Sequence, residues 1–167
     1  MLILIFVAVF GSMVVEARRA AVNERAQRAR GGLEPPGDVY GLMQIAYPVS
    51  FLAMMAEGAW RGGAPSPFLA AGAVVFAAAK ALKWWAILSL GRFWTFRVIV
   101  VPGARLVAAG PYRWLRHPNY GGVIGELLGV ALMTSAILTG VAGIATFGWL
   151  LVRRMAVEEE ALREAAR

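Results

Sequence analysis

From Tyr120 to Val152 the chain runs 33 residues with one charged side chain, Glu126. As a single helix that run would measure about 50 Å against a hydrocarbon core of ~30 Å. It must therefore fold back on itself, and a tight helical hairpin turning near Thr134 to Gly140 is predicted, giving spans over 119–134 and 139–153. Three earlier apolar segments, 1–15, 39–57 and 68–90, have the same character. Pro48 inside the second is tolerable as a kink within a bundle. Lys80 and Lys83 interrupt the third at a spacing that places them on one helix face, near enough to the Arg92 end to snorkel toward it. The composition agrees, with 59% hydrophobic and 16% charged residues, where soluble domains have roughly 45–50% and about 25%. The expectation is an all-α polytopic integral membrane helical bundle of about five transmembrane helices. It forms a single domain over 1–167, without internal repeats.

Between the spans the basic residues number five, one, five and none, with four more in the tail. By the positive-inside rule this alternation puts the N-terminus outside and the C-terminus in the cytoplasm, in a bacterial inner membrane. The first segment lacks a basic n-region and is read as a span rather than a cleaved signal peptide. Residues 16–38 read as a loop with some helix, closed by Gly31, Gly32, Pro35, Pro36 and Gly37. Residues 91–118 carry five arginines and no acid. In them Arg97–Val101 and Arg105–Val107 flank Pro102 and Gly103, as a short extended hairpin would. Three charged segments thus share the cytoplasmic face, where they can build one polar pocket.

The absence of cysteine and the single histidine exclude a disulfide framework, a thiolate nucleophile and a multi-histidine metal centre. The net charge of +7 lies in loops beside apolar spans, where it sets orientation and meets anionic lipid; no basic helix or aromatic sheet motif supports nucleic-acid binding. No glycine-rich phosphate loop follows a strand, and no Ser-His-Asp set can be assembled.

The chemically richest stretch is Gly110-Pro111-Tyr112-Arg113-Trp114-Leu115-Arg116-His117-Pro118-Asn119-Tyr120. Pro118 suits the first position of a helix, and helix N-termini attract anions. The same residues read equally as a basic, aromatic interface anchor. Gly121, Gly125 and Gly129 recur at the spacing that lets membrane helices approach closely. Asn119, Gly122 and Glu126 lie along another stripe, which points the Glu126 carboxylate inward. An intramembrane acid is a functional candidate, and an ion pair with Lys80 or Lys83 is the structural alternative. The tail, Arg153-Arg154-Met155-Ala156-Val157-Glu158-Glu159-Glu160-Ala161-Leu162, places acids on the side of the histidine loop, within reach of Arg113, Arg116 or ligand hydroxyls.

With Gly110-Pro111-Tyr112, Arg116-His117-Pro118-Asn119-Tyr120 and the tail pattern of Arg154, Glu158, Glu159 and Leu162, the chain resembles the isoprenylcysteine carboxyl methyltransferase family of membrane enzymes. Leu82–Val98, with Trp85, Leu90-Gly91, Trp94-Thr95 and Arg97, is similar to bacterial members associated with alkylpyrone-type polyketides. The resemblance implies a bundle binding S-adenosylmethionine at its cytoplasmic end, with membrane-side entry for a lipophilic small-molecule or prenylated acceptor. By matching position, His117, Tyr120, Tyr112, Glu158 and Glu159 would contact the cofactor. Arg116 and Glu159 would border the transfer site as catalytic residues, while Lys80, Lys83, Glu126 and Asn119 serve substrate or structure.

Prenylcysteine enzymes of eukaryotes continue past the two acids with a Phe-Gly and tyrosine segment, whereas this sequence ends at Arg167. That favours an acceptor with an acidic hydroxyl or a carboxylate on another lipid. Methyl transfer from a sulfonium asks mainly for alignment and exclusion of water, which one histidine and no triad can serve. Two alternatives stand beside it. One is a nicotinamide-dependent membrane reductase of the sterol reductase type, whose acid three residues after the tyrosine is replaced here by Val123. The other is a non-catalytic scaffold or transporter.

Overall fold

A computed structural model describes residues 1–63, 65–104 and 107–165. Five α-helices follow in order: α1 (Leu2–Arg28), α2 (Tyr40–Trp60), α3 (Leu69–Leu90), α4 (Pro118–Thr134) and α5 (Ile137–Ala165). Short 3₁₀ turns occupy Gly91–Phe93 and Gly110–Arg113, and there is no strand among the described residues beyond one isolated antiparallel bridge, Leu33 with Val100. Two stretches, Leu69–Phe93 and Ile137–Ala165, are long and apolar enough to cross a membrane.

The long apolar run does fold back, through Ser135, whose left-handed backbone (φ 53°) ends α4. The Ser135 hydroxyl donates to Ser66 Oγ at 2.8 Å and Ser66 to the Leu132 carbonyl at 2.7 Å. Across the turn the Glu57 carboxylate of α2 accepts from the Leu138 and Thr139 amides (3.2 and 2.8 Å) and from the Thr139 hydroxyl (2.6 Å). An acid from another helix thus caps the N-terminus of α5, where free amides and the helix dipole favour negative charge.

The closest helix packing joins α3 to α4. A Cβ on Gly129 would lie 2.8 Å from Phe76 Cβ, and one on Gly72 would lie 2.7 Å from the Gly129 carbonyl. The glycine contact therefore runs through Gly122, Gly125 and Gly129. Gly121 turns outward and makes only ordinary contact with Leu82. Behind this pair Phe51, Met54, Leu127, Val130, Phe147 and Leu150 fill a dry core with Ile5 and Val9 of α1. Fully burying such side chains stabilises by ~1.5–3 kcal/mol each.

One expectation needs correction. The first helix does not stop at Val15 but continues to Arg28, because Ala17 to Arg30 contains no Gly or Pro and is rich in Ala and Arg, both good helix formers. The residue at the supposed boundary, Glu16, is buried. Val100 pairs with Leu33 through reciprocal N–H to C=O bonds of 2.9 Å; the hairpin expected between Arg97–Val101 and Arg105–Val107 involves Arg105 and Leu106, which lie outside the described residues.

Candidate functional site

Pro118 opens α4 with His117 at the N-cap position. One turn on, Tyr120 brings its ring parallel to the imidazole, centroids 5.3 Å apart and 12° between planes. The far end of α5 passes over both. Tyr120 donates its phenol proton to Glu158 at 2.6 Å and accepts from Arg154 Nε at 2.9 Å. Arg154 Nη1 meets Asp38 at 3.0 Å, and Asp38 in turn accepts from the Val98 and Tyr40 amides at 2.9 and 3.1 Å. Imidazole Nε2 lies 3.2 Å from Glu159, and Nδ1 lies 3.9 Å from Glu158. Four chain segments, the α1–α2 and α3–α4 connections and the last two helices, therefore converge on one polar cluster.

The buried part of this cluster is Arg154 with Asp38, while Glu158 and Glu159 lie at its open rim. The hydrogen bond from His117, helped by Arg116 and Arg163, holds the Glu159 carboxyl below the usual carboxylate range. Burial, and then the charge of Glu158, pushes the half-buried Tyr112 phenol up. Beside the rim an open hollow of about 440 Å³ is lined by Ala156, Glu159, Glu160, Arg163 and Glu164.

The structure brings His117, Tyr120, Glu158 and Glu159 together, with Tyr112 close enough to feel Glu158. Arg116 adds its charge to the surroundings of Glu159 but makes no direct contact with the cluster. That side chain is exposed and, among the described residues, has no hydrogen-bond or ion-pair partner. Nor do the tail acids meet Arg113; they turn to the histidine and tyrosine. Asn119 faces another way and accepts a long bond, 3.4 Å, from the Trp94 indole.

Lys80, Lys83 and Glu126 form a second cluster deeper in the bundle. Lys80 Nζ lies 2.9 Å from Glu16 and 3.0 Å from Glu126; Lys83 Nζ lies 2.7 Å and 3.3 Å from the same two carboxylates. Tyr47 adds a 2.6 Å hydrogen bond to Glu126. Glu16 and Glu126 are each 1% exposed and Lys83 3%. The lysines therefore do not snorkel to the Arg92 end: two acids at hydrogen-bond distance neutralise them in place, which reaching for water would forfeit.

Asp38, Glu16 and Tyr47 were not legible as site residues. Asp38 stands after Pro35-Pro36-Gly37 and reads as turn. Glu16 follows an apolar run and reads as its boundary. A signal for Glu16 exists in the spacing of Glu16, Ala20, Asn23 and Gln27, one stripe of α1: Asn23 donates to the Gly91 and Trp94 carbonyls (3.0 and 2.7 Å) and Gln27 to the Arg92 carbonyl (2.6 Å).

No solved structure is significantly similar to this chain. At the sequence level the profile of the isoprenylcysteine carboxyl methyltransferase (ICMT) family matches residues 70–164, a region containing α3, α4, His117, Tyr120, Arg154, Glu158 and Glu159. A Bacillus subtilis protein, "Uncharacterized protein YpbQ", is 33% identical over 145 residues, covering 87% of this chain and 86% of its own. An "Uncharacterized protein" of Haemophilus influenzae is 25% identical over 141 residues, covering 84% and 82%. With more than half its length under the family profile, and a relative at 33% identity over 87% of the chain, the chain belongs to the isoprenylcysteine carboxyl methyltransferase family.

Proposed function

We propose that this chain is a five-span membrane methyltransferase that O-methylates the carboxylate or acidic hydroxyl of a lipophilic acceptor, with its N-terminus outside and its tail in the cytoplasm of a bacterial inner membrane. Family membership supports the methyl transfer, and the alternation of basic loops supports the topology. The observation that carries the reading is the cluster of His117, Tyr120, Glu158 and Glu159, built where α4 begins and α5 ends.

The donor chemistry of the cluster fits S-adenosylmethionine, a cation with several O–H and N–H donors. Glu158 and Glu159 present acceptor oxygens at an open rim, their side chains 32% and 36% exposed. Bound there, the cofactor would supply an electrophilic methyl group. The protein's own part is orientation and exclusion of water. Arg154 and Asp38 fix the Tyr120 phenol, Tyr120 fixes Glu158, and His117 holds Glu159 in place at 3.2 Å. Arg116, unpaired at the loop that precedes α4, is free to steady the negative charge of an acceptor oxygen. A carboxylate acceptor needs no base, and an acidic enol or phenol needs little help.

Calorimetry of the detergent-solubilised protein with S-adenosylmethionine and with a reduced nicotinamide tests the cofactor. Only the former should bind. His117→Ala or Glu159→Ala should weaken it about ten- to hundredfold, the cost of a charged hydrogen bond; unchanged affinity in both variants would return these residues to the role of interface anchors. Labelled S-adenosylmethionine offered with an alkylpyrone or alkylresorcinol should transfer label in preference to a farnesylated cysteine analogue. Turnover of the farnesyl compound alone would overturn the acceptor preference.

A further inference from the structure

The linker after α3 and the end of α1 enclose an open hollow of about 470 Å³, lined by Arg30, Arg92, Phe93, Val101, Pro102, Gly103 and Ala104. No acid lines it. Neighbouring arginines have acid partners: Arg28 lies 2.6 Å from Glu34, and Arg97 lies 2.7 Å from Glu34 and 3.9 Å from Glu24. Arg30 and Arg92 have no carboxylate within ion-pair distance among the described residues. One buried residue, Gln27, ties both to the frame: its carbonyl accepts from the Arg30 amide at 3.0 Å, and its side-chain amide donates to the Arg92 carbonyl at 2.6 Å. Arg92 also lies over the Phe93 ring, 5.1 Å from its centroid.

We propose that this hollow is a binding site for the headgroup of an anionic phospholipid, held by Arg30 and Arg92 over an apolar floor of Phe93, Val101 and Pro102. The hollow opens where the membrane-length apolar stretch Leu69–Phe93 ends, the depth at which lipid phosphates lie. Two guanidinium groups without acid partners match a phosphodiester, which arginine binds through paired N–H donors. The apolar floor suits the glycerol and upper acyl carbons, which a free phosphate lacks. The site rests on the membrane placement of α3, not on methyl transfer, so it is testable without turnover.

Phosphatidylglycerol and phosphatidylcholine are titrated against the full chain in neutral detergent, with inorganic phosphate as competitor. Phosphatidylglycerol should bind more tightly, and millimolar phosphate should not displace it. Arg30→Gln with Arg92→Gln should weaken it about tenfold or more, since each arginine near a lipid surface contributes about one factor of five. The charge-matched pair Arg18→Gln with Arg25→Gln, both exposed on α1, should lose much less. Equal losses in the two pairs, equal binding of the two lipids, or displacement by phosphate would overturn the site. In the unaltered protein a photoreactive phosphatidylglycerol should label the peptide 92–104; labelling confined to other peptides would overturn it as well.

Discussion

Removing the Glu16 carboxylate tests how the bundle is held together. Glu16 touches Lys83 at 2.7 Å and Lys80 at 2.9 Å, and both lysines also touch Glu126, at 3.3 and 3.0 Å. The four charges sum to zero, and each lies against two of opposite sign. At an effective dielectric of about 20 a contact of this length amounts to ~5–6 kcal/mol of attraction before desolvation. Desolvation of the ions consumes most of that, so the intact ring contributes little net stability. Breaking it is another matter, because Glu16→Gln leaves an uncompensated positive charge among α1, α3 and α4. Losing one partner of a buried pair costs ~3–5 kcal/mol, or roughly 6–20 °C in the thermal midpoint of a chain this size. Adding Lys83→Met to Glu16→Gln restores neutrality, and the double variant should recover at least ~1 kcal/mol relative to the sum of the singles. Thermal denaturation of the detergent-solubilised variants, followed by tryptophan fluorescence, measures all three. Strict additivity would mean that the four side chains are not one unit, and a loss below ~1 kcal/mol in Glu16→Gln would refute burial of the pair.

Glu57→Ala removes the cap on α5, and with three hydrogen bonds to α5 and the half-exposed Arg61 pair lost it should cost ~2 kcal/mol, about 4–8 °C, in the same assay; no shift would mean that water replaces the carboxylate. The Glu159 carboxyl is held below its usual range, so stability from its contact with His117 is present above pH ~4.3 and is lost as pH falls through the lowered folded value. The difference in midpoint between the wild type and Glu159→Gln should accordingly persist down to pH ~5 and vanish in stronger acid; a difference undiminished at pH 3 would contradict the assignment. For topology, an impermeant thiol reagent applied to intact cells should label Pro67→Cys and spare Arg163→Cys; the reverse pattern would invert the orientation.

The hairpin of α4 and α5 was legible because a 33-residue apolar run has one economical solution, and the glycines at 125 and 129 marked the side on which α3 packs. An ion pair of Glu126 with Lys80 or Lys83 was legible as one of two readings, a functional intramembrane acid being the other, and the fold makes both contacts. What a reading of each span by itself missed was the fourth charge. An acid followed by arginines at the end of an apolar run is the usual mark of a membrane boundary, so Glu16 read as the place where the first helix leaves the bilayer. In the fold the helix continues, and the acid turns inward because two lysines from α3 wait for it. A charge count confined to one segment sees a terminus where the folded molecule has a bridge.

The same distinction separates the residues of the candidate site. Tyr120, Arg154, Glu158 and Glu159 sit on α4 and α5, whose register is fixed by packing far from the site, and positions built on helices are held more closely than positions on loops. Once α4 starts at Pro118 and α5 crosses it, the reach of Arg154 to Tyr120 follows from helix geometry. Arg116 lies one residue before His117, in the segment between the 3₁₀ turn and α4, and no periodicity constrains where its long side chain points. Asp38 is the converse case: a loop residue that becomes fixed because Arg154 and the amides of Val98 and Tyr40 all bind it. The helices thus supply the rigid half of the cluster, and Arg116, without a partner, is the residue still free to follow a ligand.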